Sequence, residues 1–147
     1  MLTENLKILL ATSYAFVIKA QNFHWNIEGS NFPQYHTFFA DLNNEVYENA
    51  IDRTAEYIRT LESYTPGSIS RYAELSLIPD QLKIPRAELM FAELYSDNTI
   101  IIEHLKVCYD SCEESEHYGI SNFIAERIDA HNKHQWMIRS TLKTSRE

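Results

Sequence analysis

Apolar residues recur every three or four positions along four long stretches of this chain, the spacing typical of amphipathic helices. The first pattern begins at Leu6 and stops at the turn-forming residues 28–31. The second begins beside Pro33, which suits a first helical position, and continues to Leu61 before a Pro-Gly turn. The first half of the chain is therefore predicted to form two long helices.

A long connection and two further helices complete the pattern. Residues 69–77 of the connection show a short apolar periodicity that predicts one or two helical turns. A third helix is predicted to open at Pro85, and a fourth is predicted to be capped by Ser121 or Asn122. We therefore predict an all-α fold, a four-helix bundle with one long crossover, in a single domain over residues 1–147.

Composition and charge narrow the class of protein. The chain is 44% hydrophobic and 23% charged, which is ordinary for a globular protein. Its formal net charge of −8 and the mixed charges at both chain ends argue against strong DNA binding. No apolar run approaches the roughly 20 residues of a membrane span, and the N-terminus lacks a signal-peptide layout. We expect a cytoplasmic protein without membrane contact.

Five residues with metal-binding side chains lie in the first 56 positions. They are His24, His36, Asp41, Asp52 and Glu56. Imidazole nitrogens mixed with carboxylate oxygens suit Fe(II), Mn(II) or Zn(II) better than Mg²⁺ or Ca²⁺. Asp52 and Glu56 lie one helical turn apart and share a face, although acidic pairs at this spacing are also common on solvated helix faces. The residue types alone leave metal binding open.

Three strings of residues together resemble the Dps family of mini-ferritins. They are Phe23-His24-Trp25 followed by Gly29, Phe32 and His36, then Ile51-Asp52-Arg53-Thr54-Ala55-Glu56, and finally Trp136-Met137-Ile138-Arg139-Ser140. The resemblance spans nearly the whole chain and implies a ferritin-like subunit that assembles into a hollow dodecamer. It also implies di-iron ferroxidase sites at two-fold interfaces, where hydrogen peroxide or O2 oxidises Fe(II) and iron is stored and detoxified.

The resemblance assigns a role to each candidate ligand. His24 and His36 are implied to be catalytic iron ligands from one subunit, and Asp52 and Glu56 to be catalytic ligands from its partner. Asp41 is implied to be an accessory metal-binding carboxylate near the second histidine. Iron is the expected metal, and zinc or manganese are the alternatives that the same donors would accept.

The spacing of these ligands departs from the family by one residue. In the family a carboxylate follows the second histidine by four residues, whereas Asp41 follows His36 by five, and the later ligands are displaced equally. We place the extra residue between Thr37 and Ala40 and expect a π-bulge there, because a helix turns about 100° per residue. Without such a bulge, either His36 lies before the regular helix begins, or the site is degraded and binds metal weakly. The alternative function is then a Dps-like shell or binding protein that does not oxidise iron.

Other ligand-type residues favour less specific interpretations. Asn122 stands where the family has a pore aspartate, so the route by which iron enters is left open. Glu114 and His117 form one E-x-x-H pair, like those of intrasubunit di-iron bundles, but a second pair is missing. His131 and His134 are expected to make polar surface or intersubunit contacts.

Overall fold

The computed structural model describes residues 1–143, and its regular elements over that range are all helical. They are α1 (Leu2–Asn26), α2 (Phe32–Val46), a π-helical turn (Tyr47–Ile51), α3 (Asp52–Thr60), α4 (Ile69–Leu75), α5 (Ala87–Glu114) and α6 (Tyr118–Leu142). Because α2, the π turn and α3 follow one another without a break, they form one rod. The predicted four-helix bundle with a short helix in its crossover is confirmed. Within residues 1–143, no helix is long and apolar enough to cross a membrane.

Aromatic side chains from all four rods fill the core. The phenylalanines that are fully buried are Phe16, Phe23, Phe39, Phe91 and Phe123. The ring centroids of Phe39 and Phe91 lie 4.8 Å apart, which joins α2 to α5. Burial of large aromatic rings is the main favourable contribution to folding in a bundle of this size. This core holds the ends of α1 and α2 in place at the candidate site.

The turn between α5 and α6 lies earlier than the sequence predicts. Glu116 adopts a left-handed φ of 59°. The amide of Glu116 donates to the carbonyl of Glu113, and the amide of His117 donates to the carbonyl of Cys112. These two bonds form a Schellman motif, which usually has glycine at the left-handed position. With Glu116 in that position the sequence carries no stop signal, so the predicted caps Ser121 and Asn122 are wrong and α6 begins at Tyr118.

The extra residue of the second rod lies in the π turn and not at the predicted position. Residues 37–40 belong to regular α-helix, so the bulge expected there is absent. Phe39 and Val46, both buried, are seven residues apart, or two α-helical turns. Val46 and the buried Ile58 are twelve residues apart, one more than the roughly eleven residues of three turns. The buried, core-facing positions of the rod are therefore shifted by one residue after Val46, where the π turn accommodates the insertion.

The two cysteines are free and buried on α5. Burial raises the pKa of the Cys108 thiol to about 12 and that of the Cys112 thiol to about 11. Because the thiolate is the nucleophile and metal ligand, both side chains act as small apolar residues at neutral pH.

Candidate metal centre

The two predicted histidine ligands lie against each other where α1 ends and α2 begins. Their rings stack with centroids 3.9 Å apart and an angle of 18° between planes. Nδ1 of His24 lies 2.6 Å from the carbonyl oxygen of His36, and Nδ1 of His36 lies 2.7 Å from the carbonyl oxygen of His24. Because a carbonyl oxygen only accepts, each Nδ1 must donate a hydrogen. In the neutral rings both Nε2 atoms then keep a free lone pair for a metal.

A tight connection between α1 and α2 brings the two rings together. Ile27 leaves α1 in an extended conformation, and Gly29 follows with φ of 124°. A side chain at Gly29 would be strained at that angle, so glycine is needed for the reversal. Phe32, at the start of α2, then stacks on His36 with ring centroids 4.8 Å apart. The imidazole of His36 is thus flanked by aromatic rings on both faces.

The two predicted carboxylate ligands occupy a separate surface on α3. Asp52 and Glu56 are both exposed and lie one helical turn apart, so they present their carboxylates on a common face. They follow directly on the π turn, which sets the rotation of α3 relative to α2. His36 and the carboxylate pair therefore lie on one rod. The inserted residue controls the direction of the two carboxylates relative to His36.

One subunit alone does not gather these ligands. Over residues 1–143, no three His, Cys, Asp or Glu side chains are placed to hold a metal ion together. The histidine pair and the carboxylate pair are two half-sites. A complete centre that uses both pairs would have to draw them from different copies of the chain.

Asp41 lies apart from the histidine pair. It follows His36 by five residues of regular α-helix, which places the two side chains about 140° apart around the axis. Asp41 lines a cavity of about 410 Å³ between α2 and α6, together with Glu45 and His134. The inserted residue lies after Val46, so it does not change the numbering between His36 and Asp41. The position four residues after His36, where the family has a carboxylate, is therefore an alanine in this chain. The accessory role implied for Asp41 therefore has no geometric support within one subunit.

The histidines expected on the surface of the last helix are buried instead. His134 Nε2 lies 2.5 Å from Glu45 Oε1, and the Arg127 guanidinium donates to both Glu45 oxygens at 2.6 and 3.0 Å. Arg127 Nη2 also lies 3.2 Å from His131 Nε2. On the other side of that ring, His131 Nδ1 lies 2.7 Å from Asn98 Oδ1. We call these five residues the α2–α5–α6 network.

Charge and burial fix the protonation states of Glu45 and His131. Burial alone would raise the pKa of Glu45, but hydrogen bonds from His134 and Arg127 together lower it well below its ordinary value. Burial also lowers the pKa of His131 well below its ordinary value, and the positive charge of Arg127 lowers it further. His131 is therefore neutral, and with both nitrogens engaged it has no lone pair left for a metal. Sequence reasoning missed this network because its partners lie on three different helices.

The acidic residues near the start of α6 are also partly engaged. Glu126 lies 3.6 Å from the Arg53 guanidinium, and Asn122 lies 3.4 Å from another oxygen of Glu126. Arg53 in turn lies over the ring of Phe123, 4.5 Å from its centroid. Glu126, the carboxylate that Asn122 contacts, is therefore already paired with a cation.

Comparisons with known proteins bear on the family. Residues 3–147 match the ferritin family, described as a ferritin-like domain. An uncharacterized low temperature-induced protein of Nostoc sp. is 30% identical over 136 residues, which are 91% of this chain and 75% of that protein. Dps from Staphylococcus aureus superposes with a TM-score of 0.93 at 26% identity, covering 98% of this chain and 96% of that one. The chain belongs to the Dps family of ferritin-like proteins.

Another solved Dps structure indicates the chemistry of the wider group. The Vibrio cholerae protein, described as a member of a broad superfamily of ferritin-like diiron-carboxylate proteins, has a TM-score of 0.92 and 25% identity. The alignment covers 97% of this chain and 89% of that one. The resemblance found from three short motifs is confirmed, and an iron-binding mini-ferritin is the functional class of this Dps chain.

Proposed function

We propose that this Dps protein oxidises Fe(II) at centres shared between two subunits of a hollow dodecamer, and so stores and detoxifies iron. His24 and His36 of one subunit bind iron through Nε2, and Asp52 and Glu56 of the partner subunit supply carboxylate oxygens. The observation that carries the proposal is the reciprocal bonding of the two histidines. Each Nδ1 is held by the other residue's carbonyl, so both rings present Nε2 without further rearrangement.

The donor set suits an oxidation of Fe(II). Neutral imidazoles bind Fe(II), and anionic carboxylates stabilise Fe(III) more than Fe(II) because the ferric ion carries the larger charge. Hydrogen peroxide accepts two electrons and two protons to give two water molecules, so two Fe(II) ions supply the electrons for one peroxide. The role of the protein is to hold the ions at fixed donors and to favour the ferric product. Zinc or manganese would fit the same donors without this reaction.

Exposed apolar side chains support the shared centre. Ile18, Trp25 and Tyr47 are 56%, 65% and 52% exposed. Ile18 and Trp25 are seven residues apart and so share a face of α1, and Ile18 lines one cavity together with Tyr47. Ile69 on α4 is 88% exposed. Apolar side chains grouped on one side of a helical subunit usually mark a protein interface. In a two-fold contact over this face, the histidine pair of each subunit would meet the carboxylate pair of the other subunit. Each pair of subunits would then form two complete centres.

Rates of iron oxidation test the proposal directly. Stopped-flow absorbance of the ferric product should show faster Fe(II) oxidation by peroxide than in buffer. His36→Ala and Asp52→Ala should each remove most of that acceleration while the oligomer stays intact. Glu114→Ala, at the far end of α5, is the matched control and should change little. Equal rates for protein and buffer would instead favour a Dps shell without a working centre.

Mixed oligomers test whether the centre is shared. When His36→Ala and Asp52→Ala subunits assemble together, each mixed pair has one doubly damaged centre and one centre with all four side chains intact. About a quarter of all centres should therefore recover in a random mixture, although both parent oligomers are inactive. A mixture as inactive as its parents would show that the four ligands do not come from two subunits.

A further inference from the structure

Three tyrosines form a continuous aromatic cluster beside the π turn. Tyr14 of α1 is the middle member: its ring stacks on Tyr72 of α4 with centroids 4.8 Å apart and planes 25° apart. On its other side Tyr14 meets Tyr47 edge-on, with centroids 6.4 Å apart. We call these residues the tyrosine cluster. Tyr14 and Tyr72 pack against the core, and none of the three belongs to the proposed ligand set.

The cluster begins one helical turn from a candidate ligand. Tyr47 opens the π turn and Asp52 is the first residue after it, so the two are five residues apart, the span of one π turn. Asp52 also lies close enough to Tyr14 for its negative charge to contribute to a raised pKa, behind the larger effects of burial and Tyr47. The inserted residue therefore sets the direction of Tyr47 relative to the carboxylate pair.

The surroundings of Tyr14 and Tyr72 suit a reversible loss of one electron. Tyr72 donates its hydroxyl hydrogen to the carbonyl of Pro66 at 2.7 Å, which fixes the ring under Tyr14. Tyr14 lines a cavity of about 320 Å³ that is also lined by Gln21 and Asn44. A polar cavity of this size has room for several water molecules, each of which occupies about 30 Å³ in the liquid. Water in this cavity would accept the Tyr14 proton, while Tyr72 covers one face of the ring.

We propose that Tyr14, supported by Tyr72 and linked through Tyr47, donates an electron and a proton when peroxide meets a centre that holds a single Fe(II). This inference rests on the proposed ferroxidase function. One Fe(II) supplies only one of the two electrons that peroxide needs, which leaves hydroxide and a hydroxyl radical. The phenol of Tyr14 supplies the missing hydrogen atom, so that Fe(II), peroxide and tyrosine give Fe(III), hydroxide, water and a tyrosyl radical. The cluster would thereby keep the radical away from other molecules.

Iron loading provides the sharpest test of this step. Freeze-quenched electron paramagnetic resonance should detect a tyrosyl signal when peroxide is added at one Fe(II) per centre. The signal should fall when two Fe(II) ions fill each centre, because both electrons then come from iron. Tyr14→Phe keeps the ring but removes the hydroxyl, and should lose most of the signal. Tyr64→Phe, at a tyrosine that is 84% exposed, is the matched control and should keep it.

A metal-free experiment separates the cluster from the iron centre. Photochemical one-electron oxidation of the apoprotein with a ruthenium complex and persulfate should join the stacked Tyr14 and Tyr72 as dityrosine. Each tyrosine first loses an electron to the oxidant and a proton to water. The two tyrosyl radicals then join through ring carbons, and the hydrogens on those carbons move to the phenol oxygens. Peptide mass mapping should find this link in the wild type and in the Asp52→Ala variant, but not in Tyr14→Phe. A missing link in the wild type would show that the pair is not oxidised and would overturn the inference.

The outcomes distinguish the two proposals. If iron is oxidised but the radical signal survives in Tyr14→Phe, the ferroxidase stands and the donor role of Tyr14 is wrong. A tryptophanyl signal that persists in Tyr14→Phe and is lost in Trp25→Phe would overturn the inference and give the role to the tryptophan beside His24. If the cross-link forms in the apoprotein but iron is not oxidised, the ferroxidase proposal fails and the donor step fails with it.

Discussion

Two groups of histidine and acidic residues in this Dps protein have similar chemistry and opposite surroundings. In the α2–α5–α6 network, Glu45 binds Arg127 and His134. His131 binds Arg127 and Asn98, also inside the subunit. At the candidate metal centre, His24 and His36 use only Nδ1, and each keeps a free Nε2. A ligand-type residue is available to a metal only when the fold leaves its lone pair free, and residue type alone does not show this.

The network is a structural device, because a buried charge is stable only when it is paired and hydrogen-bonded. The metal centre is the reverse, since a half-site with free lone pairs stabilises one subunit little. We therefore expect changes in the network to lower stability, and changes at the centre to lower activity with little effect on folding. The following predictions test this division, beginning with the largest effect.

Deleting a single residue should distinguish the two parts of the second rod: a deletion in α2 should unfold the subunit, whereas a deletion in the π turn should be tolerated. Removal of Thr37 turns His36 by about 100° relative to the rest of α2, so the contact with His24 and the burial of Leu42 cannot both persist. We expect the free energy of unfolding to fall by at least about 3 kcal/mol, the cost of one lost core side chain. Urea unfolding followed by circular dichroism measures this.

Removal of Glu48 is the matched control. Glu48 is an exposed residue of the π turn, and its deletion leaves Val46 and Ile58 eleven residues apart, as regular α-helix requires. The subunit should fold and oxidise iron. The opposite result, a stable Thr37 deletion and an unfolded Glu48 deletion, would show that the insertion lies in α2 after all.

Much of this fold was accessible from the sequence because helices leave a periodic trace. Four apolar patterns predict four rods, and the short helix predicted within residues 69–77 is observed at Ile69–Leu75. The predicted position of the insertion is wrong because it rests on the spacing from His36 to Asp41, and Asp41 is not part of the buried stripe. The distance from Val46 to Ile58 carried the correct signal, since a slip in the core-facing positions marks where a helix gains a residue.

The network, in contrast, was hidden from sequence reasoning. Glu45 and Arg127 are 82 residues apart, and Asn98 and His131 are 33 apart, so no local spacing relates them. The residues next to a helical histidine in the sequence do not show whether its side chain faces solvent or a buried partner. The half-sites of the metal centre were predicted only through the family motifs, and the way in which they combine depends on a second subunit.

Breaking the central ion pair should give the next largest effect. Arg127→Ala leaves Glu45 with one fewer cation in a position where its side chain is only 28% exposed, so we expect a loss of about 2–4 kcal/mol. Replacing both residues, as in Arg127→Leu with Glu45→Leu, should recover part of that loss. Denaturant unfolding of the three variants measures the difference.

An exposed ion pair is the control for this experiment. Arg71 and Glu74 lie 3.0 Å apart with side chains 45% and 67% exposed. Arg71→Ala should cost about 0.5 kcal/mol or less. His36→Ala should cost about 1 kcal/mol, the net value of one hydrogen bond. A loss in His36→Ala as large as that in Arg127→Ala would contradict the division between structure and function.

Acid should destabilise the network in two stages. The folded pKa of His131 lies well below 6.5, so the unfolded chain binds more protons and stability falls as the pH drops below 6.5. The folded pKa of Glu45 is also lowered, so its contribution is present above 4.5 and falls as the pH drops below that value. Unfolding midpoints in urea between pH 7.5 and 2.5 measure both stages.

A histidine variant assigns the first stage. His131→Gln should flatten the dependence between pH 6.5 and 5, apart from a smaller slope from His104, whose pKa burial also lowers. His104→Gln in the same background should remove that remaining slope. An unchanged slope in the double variant would mean that other groups titrate in this range and that the network is not the pH-sensitive part of the subunit.

The smallest expected effect is at Asp41, and it is the most informative about the centre. Asp41 lies on the α6 side of α2, beside the cavity that Glu45 and His134 also line, and not on the face of His36. Asp41→Ala should therefore leave both the rate of Fe(II) oxidation and the unfolding midpoint nearly unchanged. Asp52→Ala, measured in parallel, should abolish the acceleration. A large loss of rate in Asp41→Ala would mean that the partner subunit's contact brings Asp41 to the metal, and that the accessory role implied by the family survives the displaced insertion.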